Sequence, residues 1–110
     1  MRLVTVGAIS VSEREFTDQV VALARLCGWL VIHFRPARSE QGWRTPLQGH
    51  PGFPDLVMVR GGELIFAELK SATGRLTAEQ RRWIEALDGA GANSFVWKPS
   101  DWDAIEWRLR

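Results

Sequence analysis

Tyrosine is absent from this 110-residue sequence, cysteine occurs once and histidine twice. A lone Cys27 has no internal disulfide partner, and without a CxxC pair or a Cys/His cluster there is no basis for a structural zinc site. Long apolar runs are also missing, which argues against a helix spanning a bilayer and against a membrane as partner. The opening segment MRLVTVGAIS has neither the apolar stretch nor the small-residue cleavage site of a secretory signal. The expectation is a soluble, cytoplasmic protein. Excess charge of one sign is lacking too: at +1, contact with a polyanion has to come from local patches rather than from bulk attraction.

What is present is ordinary for a globular chain, 45% hydrophobic and 25% charged residues, and the length suits one domain over residues 1–110. Six tryptophans, at 29, 43, 83, 97, 102 and 107, are scattered and read mostly as packing residues. Cys27 falls in the apolar stripe of a predicted helix and reads as core.

Apolar spacing predicts a helix from Glu13 to Cys27, with Phe16, Val20, Leu23 and Ala24 inward, Ser10 or Ser12 as N-cap and Gly28 as its stop. Residues Trp29 to Ile32 read as a buried strand. Residues 35–52, RPARSEQGWRTPLQGHPG, lose all periodicity and read as a long loop positioned to meet a substrate. Asp55 to Arg60 and Glu63 to Lys70 are strand-like runs separated only by Gly61 and Gly62, which predicts a two-residue hairpin turn. Thr77 opens a capping box, TAEQ, for a second helix with Gln80, Trp83, Ile84 and Leu87 on one face. Ser94 to Trp97 reads as a fourth strand, and Ser100 with Asp103 as the cap of a last helix burying Trp102, Ile105 and Leu109. The resulting fold class is α/β, in the order αβββαβα, with a central mixed sheet flanked by helices on both faces.

The two-residue turn sets the hairpin register. If Arg60 pairs with Glu63, Asp55 lies opposite Glu68 on one face, their Cβ atoms about 4.5–5.5 Å apart. Like charges placed so destabilise a sheet, so folding alone does not account for the pair. Lys70 follows Glu68 on the same face, beyond the apolar Val57, Val59, Leu64 and Phe66. Two carboxylates and an amine at one end of a sheet face suit a hard cation such as Mg²⁺, which often takes one or two carboxylates and completes its shell with water and phosphate. The chemistry such a group supports is phosphodiester hydrolysis, with Lys70 in an electrostatic positioning role. The competing reading is a solvated salt-bridge cluster at a hairpin end.

Gly52-Phe-Pro-Asp55, twelve intervening residues, and Glu68-Leu-Lys70 resemble the PD-(D/E)xK nuclease signature. The blocks SEREF, GWLVIHFRPAR, GFPDLVMVR, FAELKSATGRLTAEQRRWIEAL and VWKPSDWDAIE, in that order, resemble the VRR-Nuc (virus-type replication-repair nuclease) domains across most of the chain. That resemblance implies a restriction-endonuclease-like fold and a Mg²⁺- or Mn²⁺-dependent deoxyribonuclease. It further implies activity on branched DNA, such as a Holliday junction, by a homodimer. It also implies an acidic residue on the first helix. Glu13 matches best, since it lies on the stripe of Phe16 and Val20, with Glu15 as substitute; either could instead close a capping box with Ser10 or Ser12. On the same grounds the Leu69 carbonyl is a further metal ligand, and Gln80 is auxiliary to the site or merely part of its capping box. Arg35, Arg38 and Arg44 make the long loop basic, either suited to phosphate with Trp43 available to stack on a base or simply solvated, and Arg75, Arg81 and Arg82 extend that surface or simply dress the second helix. His33 and His50 carry no assignment. A non-catalytic nucleic-acid-binding module, or a nickase or single-strand nuclease, are the alternative functions.

Overall fold

The computed structural model of the protein describes residues 11–34 and 48–110 in full, and 37–39 and 42–44 as backbone only. Helix α1 spans Glu13–Leu26 and begins in a reciprocal cap: the Ser12 hydroxyl accepts from the Glu15 amide and the Glu15 carboxylate accepts from the Ser12 amide. Ser10, the other N-cap candidate, lies outside the described residues. Strand β1 is Leu30–His33; β2, Ala37–Ser39, and β3, Gly42–Arg44, form a separate antiparallel ribbon. The segment expected to be an irregular loop thus meets part of its backbone hydrogen bonding by pairing with itself.

Strands β4, Leu56–Arg60, and β5, Glu63–Leu69, form the expected hairpin, with Arg60 opposite Glu63 and Leu56 opposite Ala67. Gly61 takes a left-handed φ of 58°, which the two-residue turn requires and a side chain would resist. Helix α2, Ala78–Gly89, carries the chain from β5 to the parallel strand β6, Asn93–Trp97. The chain then makes a 3₁₀ turn, Pro99–Asp101, before the last helix α3, Trp102–Leu109. That turn replaces the expected Ser100 and Asp103 cap: Asp101 precedes α3, and its carboxylate accepts from the Lys98 amide instead.

The main sheet has the order β1-β4-β5-β6, three antiparallel strands and one parallel, so it is the mixed α/β sheet that the element order implied. One face, with Leu56, Met58, Ile65, Ala67, Leu69 and Trp97, is sealed by Phe16, Val20 and Ala24 of α1 and by Ile105 and Leu109 of α3. The other face is covered unevenly. A crossover helix packs on the strands it joins, so α2 lies toward β6 and, among the described residues, leaves the β1 side open. Leu30 is 78% and Ile32 53% exposed, which corrects the expectation of a buried first strand. Trp29 and Trp97 are core residues as expected, whereas Trp107 is exposed.

Candidate active site

Strand alternation builds the site at the open end of the β4-β5 hairpin, on the face that α2 partly covers. Asp55 stands one residue before β4. Its backbone carbonyl accepts from the Phe34 amide at 2.9 Å, and its Oδ2 accepts from the Leu69 amide at 2.9 Å, so both neighbouring strands hold it. The ladder from Arg60 and Glu63 to Leu56 and Ala67 puts Glu68 next in register, opposite Asp55.

Glu68 is 2% exposed. Its Oε2 accepts from Gln80 Nε2 at 3.0 Å and lies 3.5 Å from Lys70 Nζ, while its Oε1 is buried with no hydrogen-bond partner. Loss of water around the carboxylate, and then the Asp55 charge, push the Glu68 carboxyl up to about 8; Lys70 pulls the other way. A carboxylate held this way is short of positive charge, with one oxygen fixed and the other free to ligate.

The helix-one acids separate cleanly. Glu15 is spent on the cap, and its hydrogen bonds to Ser12 hold its carboxyl below the usual range. Glu13, the first residue of α1, lies within electrostatic reach of Asp55 and Lys70; partial desolvation and then Asp55 raise its carboxyl, and Lys70 lowers it. Among the described residues no three carboxylate, imidazole or thiolate groups converge closely enough to hold an ion unaided. Mg²⁺ does not require three, since water and phosphate complete its shell.

Gln80 combines both sequence readings. Its Oε1 accepts from the Thr77 amide at 2.9 Å, closing the cap of α2, and this aims its Nε2 at Glu68. Leu69 buries its side chain in the core, so only its backbone could serve the site. Arg75 is exposed on the loop that follows Lys70. Arg35 lies outside the described residues, as do the side chains of Arg38, Trp43 and Arg44. His33 is half-buried in β1, and His50 contributes its carbonyl, which accepts from Trp83 Nε1 at 3.2 Å.

Sequence reasoning missed the aromatic clamp beside the site. Phe53 packs edge-on against Phe34, Phe66 and Trp83, with ring centroids 5.6, 5.9 and 5.0 Å apart, and joins the loop before Asp55 to the residue just after β1, to β5 and to α2. The only hint was Phe53 itself, standing in a motif whose other positions are charged or turn-forming.

No curated protein matches the chain significantly. A solved structure described as a VRR_NUC domain protein is similar at 20% identity, over 82% of this chain and 79% of that one, with a TM-score of 0.48. The model of the VRR-NUC domain matches residues 35–100, which include Asp55, Glu68, Lys70 and Gln80. Matched over more than half its length, the chain belongs to the VRR-NUC domain family and carries a nuclease-type domain.

Proposed function

We propose that this protein is a Mg²⁺- or Mn²⁺-dependent deoxyribonuclease that hydrolyses phosphodiester bonds of branched DNA. Asp55 and Glu68 are the principal metal ligands, with the Leu69 carbonyl as a further one and Glu13 reaching the ion through its bound water. The observation that carries the reading is Glu68: buried, facing a second carboxylate, with Oε1 unpartnered. A hard cation would satisfy that oxygen and reverse the repulsion from Asp55, so the residues suit the ion. The cation, when bound, supplies Lewis-acid polarisation of the phosphate and acidification of water.

The chain's own groups do the rest. Lys70 Nζ, already 3.5 Å from Glu68, donates to the attacking water or to a phosphate oxygen and offsets charge that builds up during attack. Gln80 keeps Glu68 Oε2 engaged, so that Oε1 is the oxygen presented. Arg75, with Arg35, Arg38 and Arg44, contacts phosphates flanking the scissile bond. One such site cuts one strand, so severing two strands of a junction calls for a symmetric homodimer with two sites.

The test incubates wild type and Lys70→Ala with a four-way junction, nicked duplex, linear duplex and single strands, in Mg²⁺, Mn²⁺ or chelator. Metal-dependent cutting of the junction by wild type alone is the expected result. Cutting in chelator, or undiminished cutting by Lys70→Ala, overturns the site; binding without cutting makes the protein a non-catalytic module, and preference for unbranched DNA overturns the substrate. Sedimentation of a monomer at assay concentration overturns the dimer.

A further inference from the structure

Gly52 has a φ of +94°, and a Cβ built on it would meet the Glu79 carbonyl carbon at 2.6 Å, the Gln80 amide nitrogen at 2.8 Å and the Glu79 Cβ at 2.8 Å. Two of those atoms are helix backbone and cannot swing aside. The contact is also clipped on both sides: Trp83, three residues along α2 from Gln80, donates to the His50 carbonyl at 3.2 Å and packs against Phe53. The loop leading to Asp55 and the first turn of α2 therefore touch backbone to backbone at Gly52.

We propose that Gly52 is a positioning residue of the site, acting through Gln80: its missing side chain lets the first turn of α2 seat on the loop, and that seat brings Gln80 Nε2 within 3.0 Å of Glu68. Carbon atoms in contact sit about 3.5–4.0 Å apart, so an alanine at this position would displace the turn or the loop by about 1 Å. A hydrogen bond of 3.0 Å does not survive such a displacement of the turn. The Thr77 cap would hold the Gln80 amide in orientation while the whole turn moved, so the side chain could not compensate by rotating without breaking the cap. Glu68 Oε2 would then lose its fixed donor, and Oε1 its fixed presentation.

The inference rests on the metal-site reading given above, and its test separates the two. Gly52→Ala, Gln80→Ala and the double variant are compared by calorimetric Mg²⁺ titration, and the Gln80 side-chain amide resonances, assigned by their loss in Gln80→Ala, are followed in metal-free protein. The expected result is that Gly52→Ala keeps a dispersed, folded spectrum, moves the Gln80 amide resonances to solvent-exposed positions and weakens Mg²⁺ binding by about 10-fold. In the Gln80→Ala background the same change should add nothing. Unmoved Gln80 resonances, or an equal loss of affinity in both backgrounds, overturn the proposal. An unfolded Gly52→Ala assigns the glycine to the fold as a whole and overturns it too. Wild type that binds no Mg²⁺ refutes the metal site instead, and the Gln80 resonances still decide the role of Gly52.

Discussion

Glu68 ionises against two penalties, the loss of water around a buried side chain and the negative charge of Asp55. Because its carboxyl is raised from 4.5 to about 8, metal-free native protein keeps a proton through that range which the unfolded chain has released. Stability must therefore fall as pH rises, being fullest below 4.5 and lost through about 8, with Glu13 adding in the same direction. Urea midpoints of metal-free protein should decline across that window, and Glu68→Gln should flatten the decline; a slope unchanged by the substitution would contradict the environment described for Glu68. For the reaction, Lys70→Ala is expected to lower kcat on the order of 10²–10³ under single-turnover conditions. Arg75→Ala should instead weaken binding across all DNA forms and reduce its salt dependence, as the loss of one phosphate contact does.

Elements are joined at points that a linear reading passes over. Arg60 closes the hairpin opposite Glu63, yet its guanidinium also donates to the carbonyls of Cys27 at 3.0 Å, Leu109 at 2.8 Å and Arg110 at 3.1 Å, and lies 4.4 Å above the Trp29 ring. It thus satisfies carbonyls at the ends of two helices, sharing that of Leu109 with the Trp29 indole, which donates to it at 2.8 Å. Arg60→Ala is expected to cost about 2–3 kcal/mol in urea unfolding, and Arg60→Lys to recover only part, because an ammonium lacks the planar fork. The caps of α1 and α2 were legible, since Ser12 with Glu15 and Thr77 with Gln80 follow a local rule of spacing. The cap of α3 was not: the 3₁₀ turn at Pro99 shifted the helix start, and Asp101 was drawn back to the Lys98 amide.

Across the whole molecule the sheet separates a sealed face from a half-open one, and burial rather than residue type should govern the cost of substitution. Ile65→Ala, on the sealed face, is expected to cost about 2–5 kcal/mol, whereas Leu30→Ala, 78% exposed, should stay within about 0.5 kcal/mol. Equal urea midpoints for the two variants would contradict the assignment of faces. Hydrophobic pattern could not have made this distinction: both faces of the hairpin are apolar in sequence, and the asymmetry arises because α2 lies over the parallel pair and not over β1.

The amino-acid sequence by itself determined the order of the three α-helices and the four strands of the main sheet, though not the β2-β3 ribbon, and the hairpin register, because capping boxes, two-glycine turns and strand alternation are rules over a few neighbouring residues. It therefore also determined that Asp55, Glu68 and Lys70 share one end of one face. Tertiary structure decided the remainder. Glu13 comes within electrostatic reach of Asp55 and Lys70 because α1 packs against β5; Gln80 reaches Glu68 because a bare Gly52 admits the turn that carries it. Each of these depends on how closely two segments distant in the chain can pack, and that distance is written in no local pattern.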